Sequence, residues 1–458
     1  MAIELTKEAT VEPNDYRGLL IAGRVDEARA LFSTKEKKVE EALKQWNVAT
    51  HVVHDRPKKY LDDNTEVKQW KLPIPYQKKI VNSAVAFLFG KPLKLVQLSE
   101  GTDEAFAVLK DLWDDMRMSS VNRKNARTVF SQTVSAKLFL EYRDADADKE
   151  DTTKFNSAKC ILLSQSNGDI IYTKKDMYGV MECIARGYKV TSAGKVVEYF
   201  DAYFKDVILN CIKTDGTWEV KSNPNLVKKI PISYYDQDET EWNDVQDLIE
   251  RLEMLTSKKA DNNDYTGDAI LVLTGDVESL PGKEETGKVV RLSGDNASAN
   301  YLAPSMAVDM AKNEDDRLTE FIHYFTDTIN LSTDQLASLG QDSGKALEMR
   351  FFPAVLKSMD KQEVFAEMTD REINIMKSMI SNVIRVDLAS QVKKLKVGVE
   401  FGNPLPDNIA DFINILSTAV GGKPIMSQKT AIGLNPLVKN ASEEESAVSD
   451  ESLSTIVD

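Results

Sequence analysis

Between Trp242 and Pro353 the sequence sets two long helical patterns around a short β-prone excursion, and this order constrains the fold more than any other stretch. Val245, Leu248, Ile249, Leu252 and Leu255 recur at helical spacing, which predicts a helix over 242–259. The run Asn262, Asn263, Asp264 is expected to stop it, because such side chains bond their own backbone and favour turns. Residues 269–274 and 288–292 read as strands on either side of a turn at Pro281-Gly282. A second helix is expected over 305–330, with Leu318, Phe321, Ile322, Phe325 and Ile329 on one face. A polar loop at 331–344 then leads into a long helix from Lys345. The layout predicts a rod that runs out, turns through a small tip and returns.

A chain of 458 residues is long enough for two or three cores. The net charge of −15 argues against a broad basic face that coats nucleic acid, although it leaves room for nucleic acid that passes without sticking. Cys160, Cys183 and Cys211 are widely spaced within apolar, β-like runs, so small buried hydrophobes suit them better than metal or redox chemistry. The first 13 residues carry no apolar stretch of the signal-peptide kind, and apolar runs such as 84–89 are too short to span a membrane. An intracellular chain without a membrane segment is expected.

Along the chain, residues 1–15 read as a loose arm, followed by helices at 25–32 and 34–47 with Thr34 as the N-cap of the second. The prolines of Lys71-Leu72-Pro73-Ile74-Pro75 force extended backbone before a helix over Tyr76–Phe89. Gly90-Lys91-Pro92 is expected to end that helix, with Gly90 in a left-handed turn. A strand at 93–98 precedes helices at 103–116 and 120–135, the second capped by Ser120. From 136 to 235 the period changes to two. Strands are expected at 136–142, 158–163, 169–173, 180–186, 196–204, 207–213, 217–221 and 229–235, separated by turns at Asn167-Gly168, Ala193-Gly194 and Asp215-Gly216. Beyond the central stretch come a helix over 345–386, which Pro353 should bend, a strand at 394–401, and short helices at 407–420 and 427–433. A Ser- and Glu-rich tail at 440–458 reads as flexible.

Catalytic motifs fail on inspection. Gly340 to Lys345 has three residues between its glycines where a phosphate-binding P-loop needs four, and Ala346 stands where the magnesium-binding hydroxyl belongs. Asp144, Asp146 and Asp148 begin like a calcium loop, but Lys149 and Phe155 occupy the positions of its glycine and bidentate glutamate. His51 and His54 have ligand-like spacing without further ligands to complete a set, so a surface or packing role suits them better. No cofactor or metal is expected.

Several patches, in order, resemble the portal protein of tailed double-stranded DNA bacteriophages. They are Tyr76-Gln77-Lys78-Lys79-Ile80-Val81-Asn82 running to Phe87-Leu88-Phe89-Gly90-Lys91-Pro92, then Lys229-Ile230-Pro231-Ile232-Ser233-Tyr234-Tyr235. They continue with the helix at 242–259, Asp268-Ala269-Ile270-Leu271-Val272-Leu273-Thr274-Gly275, and Ser343-Gly344-Lys345-Ala346-Leu347. The resemblance covers about 46–436 and departs from the family between Gly275 and Gly287. It implies an α+β portal fold with a helical stem, a small α/β clip, an α+β wing and a helical crown, assembled as a ring.

The implied domains are an N-terminal arm and wing (1–241), a first stem helix (242–261), a clip (262–304) and a second stem helix (305–330). A tunnel loop (331–344), a bent wing helix with a strand (345–402), a crown (403–439) and the flexible acidic tail (440–458) complete it. The resemblance further implies a homo-oligomeric ring, twelve subunits in the virion, at one capsid vertex. Double-stranded DNA would pass through its channel during packaging and ejection. The implied partners are the large terminase, the major capsid protein, the scaffold and the head–tail adaptor. The expected location is the virion, and the host cytoplasm during assembly. Ser332, Thr333, Asp334, Gln335, Gln341, Asp342 and Ser343 would offer DNA transient polar contact, since residues 331–344 contain no Lys or Arg. Lys312 and Arg317 are candidate channel-facing cations, and Lys283, Lys288 and Arg291 candidate clip contacts for motor or adaptor. No catalytic residue is assigned. The competing readings are a metal-dependent nucleic-acid enzyme using clustered carboxylates and a head scaffold that forms no channel.

Overall fold

The computed structural model describes residues 15–60, 62–142, 157–192, 194–266, 270–279, 291–302, 306–330, 344–402, 409–421, 424–435, 437–438 and 440–454. The chain divides into two compact units, residues 1–331 with 353–402, and residues 332–352 with 403–458. Its class is α+β, helices and antiparallel sheets in separate runs.

The first unit opens with α1 (Tyr16–Ile21), α2 (Val25–Arg29) and α3 (Glu36–Trp46). The α3 helix starts later than expected, and the Thr34 hydroxyl accepts the Glu36 amide at 3.3 Å. After the short strands β1 (Lys59–Tyr60) and β2 (Glu66–Val67) comes α4 (Tyr76–Phe89), with the bounds its flanking prolines and Gly90 predict. Its end differs in mechanism. Gly90 is right-handed, with φ −59° and ψ −41°. The Arg123 guanidinium instead donates to the Phe89 and Gly90 carbonyls, each at 2.8 Å, and so satisfies the helix terminus from another element. A Cβ on Gly90 would meet the Ala86 carbonyl at 2.4 Å, which explains the glycine without a left-handed turn.

Strand β3 (Lys94–Gln97), α5 (Asp103–Asp115) and α6 (Met118–Gln132) follow. The α6 helix begins two residues before Ser120. Its N-cap is Arg117, at φ +53°, with no side-chain capping bond. All eight expected strands form: β4 (Val134–Tyr142), β5 (Ser157–Leu163), β6 (Ile170–Lys175), β7 (Met181–Ser192), β8 (Lys195–Tyr203), β9 (Val207–Thr214), β10 (Thr217–Pro224) and β11 (Ile232–Asp236). They divide into a five-stranded meander, β10-β9-β8-β7-β6, and a three-stranded sheet, β11-β4-β5. Asp215 and Gly216 both take positive φ, +50° and +85°, as the two-residue hairpin between β9 and β10 requires.

The chain continues with α7 (Gln246–Thr266), β12 (Ile270–Ser279), β13 (Arg291–Leu302), α8 (Met306–Phe325), α9 (Gly344–Met379), α10 (Ala389–Lys394) and β14 (Val397–Glu400). Strands β3 and β14 pair antiparallel across some three hundred residues of sequence, Val397 opposite Gln97 and Glu400 opposite Lys94. Pro353 lies inside α9. The largest apolar core joins α4, α5, α6, the base of α7 and α9. Phe365 is its hub, with the rings of Phe89, Phe130 and Tyr235 at 5.3, 5.8 and 5.1 Å. A second core packs α1 and α2 on the five-stranded sheet through Leu20, Cys183, Phe200 and Cys211. The cysteines are free thiols, and burial pushes Cys160 and Cys211 up to about 12.

In the second unit, α11 (Ile409–Val420), α12 (Gln428–Leu434) and α13 (Ala441–Ser454) are helical. Ser427 caps α12 by accepting the Thr430 amide at 3.1 Å. The segment expected as a flexible tail therefore contains a helix, tied to α12 by Lys429 and Glu445 at 3.0 Å. The acidic run at 144–151 lies outside the described residues.

Candidate functional site

The helix, strand pair and helix expected over the central stretch form as α7, the β12–β13 ribbon and α8. The two strands pair antiparallel from Ile270 opposite Leu302 to Ser279 opposite Arg291, with register shifts between Thr274 and Asp276 and between Val277 and Ser279. β13 runs over 291–302 rather than the expected 288–292; residues 291–293 and 298–302 pair with β12, and 294–297 fall in the register shift opposite Gly275.

The first helix does not stop at Asn262. It continues to Thr266 because its polar residues are held from outside. Glu253, Ser257, Asp261 and Asp264 form a stripe on α7 that grips the proline-rich extended segment before α4. Glu253 Oε1 accepts from His51 Nδ1 at 2.6 Å and from the Ile74 amide at 2.7 Å. Ser257 Oγ accepts the Leu72 amide at 2.9 Å. Asp261 takes the Trp70 amide at 2.6 Å and Arg56 at 2.7 Å, and Asp264 takes Trp70 Nε1 at 2.6 Å. A carboxylate occupied by tertiary donors no longer competes for its own backbone, so the helix propagates. At the base, Trp242 is fully buried, stacks on Trp46 at 5.7 Å and donates Nε1 to Gln45 at 2.9 Å. The i, i+4, i+8, i+11 spacing of the stripe was the available signal for this clasp.

Two ion pairs tie α7 to α8: Arg251 to Glu314 at 2.7 Å and Lys259 to Asp315 at 3.0 Å. These acids therefore belong to α7 rather than to their neighbours on α8. Lys312 and Arg317 stay exposed; the Arg317 guanidinium lies 5.6 Å from the Phe321 ring. Past α8, Thr326 Oγ1 donates to the Ile322 carbonyl at 2.6 Å, and Lys357 of α9 donates to the Thr326 carbonyl at 3.0 Å. Lys357 and Lys361 both reach buried Glu241, at 2.8 and 2.7 Å. Glu241, just before α7, thus clamps α9. Burial alone would raise the Glu241 carboxyl, but the two lysines outweigh it and hold it below its ordinary value. Glu241→Gln is expected to cost about 3 kcal/mol of unfolding free energy, because two half-buried lysines lose their partner; urea titration measures it.

His323 also belongs to this junction. Its Nε2 accepts from Lys79 at 3.3 Å, and its ring meets Tyr76 edge-on at 5.8 Å. Burial first, and the Lys79 charge second, lower it to about 4. The unfolded chain takes up this proton below about pH 6.5, while the folded chain resists until about pH 4. Stability from this site is therefore intact above pH 6.5 and falls as pH drops, by about 2 kcal/mol at pH 5. His323→Gln is expected to remove that part of the slope between pH 7 and 5, read from urea midpoints.

Of the other expected site residues, Ser332, Thr333, Asp334, Gln335, Gln341, Asp342 and Ser343 lie outside the described residues, as do Lys283 and Lys288. Arg291 opens β13. His51 binds Glu253, and His54 Nε2 donates to the Val48 carbonyl at 3.0 Å, so each has a packing partner. Among the described residues no group of three or more His, Cys, Asp or Glu stands close enough to hold a metal ion, and no helix is long and apolar enough to cross a membrane.

No curated protein matches the sequence. Solved structures that resemble the fold include a chain of the virion of a native gene transfer agent particle, at TM-score 0.39 and 8% identity, covering 89% of this chain and 95% of that one. A chain from the neck of a native gene transfer agent particle, computed with C12 symmetry, gives the same values. The sequence itself matches, over residues 31–455, the family described as Phage portal protein, SPP1 Gp6-like, and the chain belongs to that family.

Proposed function

We propose that copies of this chain assemble into a ring, twelve in the virion, at one vertex of the capsid, through which double-stranded DNA enters and leaves. The observation that carries this reading is the family match, which spans the rod and both flanking regions. The rod of α7, ribbon and α8 serves as stem and clip. Residues 331–344 form the tunnel loop, with Ser332, Thr333, Asp334, Gln335, Gln341, Asp342 and Ser343 touching DNA weakly. A loop without Lys or Arg releases few counterions, so DNA slides past it. The clip, with Lys283, Lys288 and Arg291, docks the large terminase during packaging and the head–tail adaptor afterwards. The wing meets the major capsid protein and scaffold. The chain works without a cofactor and without catalysis, in the host cytoplasm during assembly and then in the virion.

Of the two candidate cations, Lys312 is the one we propose for the channel, because Arg317 lies on the other flank of α8. Five helical residues separate them by about 140° of rotation, and they flank the α7-facing side of α8 in opposite directions. Electron microscopy of the purified protein tests the reading. Rings with an axial channel are expected; a monomer that cleaves nucleic acid with magnesium overturns it in favour of an enzyme.

A further inference from the structure

Two helix faces in the first unit stay uncovered although their chemistry suits burial. On α8, Met310, Phe321, Tyr324 and Phe325 are 76%, 36%, 74% and 59% exposed and share a flank with Arg317. On α9, Leu356 and Met359 are 49% and 59% exposed and share the outward face with Asp360 and Glu363. That face lies opposite buried Ala354, Ser358 and Phe365. Among the described residues, Asp360, Glu363 and Arg317 form no ion pair.

Resting on the ring reading above, we propose that the α8 flank of one copy packs against the α9 face of the next. The two surfaces are complementary in charge and in spacing. From the centre of the α8 aromatic cluster to Arg317 is about 9 Å along the helix, and from Leu356 and Met359 to Glu363 is about 8 Å. When the helices run antiparallel, the aromatics cover Leu356 and Met359 while Arg317 meets Asp360 and Glu363. The faces differ from one another, so the contact is heterologous: each copy offers one face forward and the other backward. Such a contact repeats from copy to copy, and a ring forms where the rotation between copies closes. A two-fold dimer would instead need one face to match itself.

Cysteine cross-linking tests the contact on the full chain. The native thiols are buried or largely so, which leaves Phe321→Cys and Met359→Cys as the reactive pair. Under oxidation the double variant is expected to give a ladder of covalent species of three or more chains on a denaturing gel. A mixture of the two single variants should give dimers only. Rings seen by electron microscopy without a ladder, or an intrachain cross-link in the double variant, overturn this contact but leave the ring standing. Absence of rings in the unmodified protein overturns the ring reading and this contact with it. A second pair of variants reads the charges. Arg317→Glu is expected to lower ring yield at least tenfold at low salt, and Glu363→Arg added to it should restore rings; unchanged yield in the single variant counts against the pairing.

Discussion

Replacing Glu372 with leucine is expected to lower the unfolding free energy by about 3–5 kcal/mol. Glu372 sits on α9 with no exposure, and Lys137 of β4 is equally buried. Their charged atoms are 2.8 Å apart. Lys137 Nζ also donates to Asn122 Oδ1 at 2.5 Å and to the Tyr235 hydroxyl at 3.1 Å, and that hydroxyl donates to Glu372 at 2.7 Å. Burial, and then the Glu372 charge, push the Tyr235 phenol well above its ordinary value, so it stays a donor. Without the carboxylate, an ammonium remains in the core with neutral partners only. The pair Lys137→Met with Glu372→Leu should recover most of the loss, since two apolar side chains of similar length remove both charges at once. Urea titration of the three variants checks this. A single variant that costs under about 1 kcal/mol would show that water reaches the site.

Exchanging residues 331–344 for a short Gly-Ser linker is expected to leave rings intact while DNA packaging or retention falls severely. The turn before this segment is held independently of it, by Thr326, Thr328 and Lys357, and Glu241 fixes α9 on the far side. Assembly should therefore tolerate the exchange. Particle images report the rings, and nuclease-protected DNA per particle reports packaging and retention. Normal packaging and retention would remove the case for a tunnel-loop role.

The sequence shows the fold wherever local pattern and final environment agree. Pro73 and Pro75 before it and Gly90-Lys91-Pro92 after it predict α4 to the residue, and Asp-Gly at 215–216 predicts its hairpin, because each is decided within a few residues. Errors arise where a distant group takes over a local role. Arg123 caps α4 in place of a left-handed Gly90, and Trp70 occupies Asp264, one of the residues expected to end α7. Neither partner is adjacent in sequence, so neither is visible to a periodicity argument. The site was less legible than the fold. Lys312 and Arg317 read alike in sequence, and helical phase sets them about 140° apart around α8. The α7 clasp, built from Glu253, Ser257, Asp261 and Asp264, shows in sequence only as polar helical spacing, because its partners lie far away along the chain.

The division of the chain into units sets an order of events during synthesis. Residues 332–352 belong with 403–458, but the 50 residues at 353–402 between them belong to the other unit. A ribosome adding about 5–20 residues per second leaves the earlier segment without its later companions for roughly 3–10 s. During that interval the first unit can acquire Phe365 and Glu372 and close its core, while residues 332–352 wait for the later segment that they belong with. Newly made chains are therefore most open to premature association, or to capture by a chaperone, in this window.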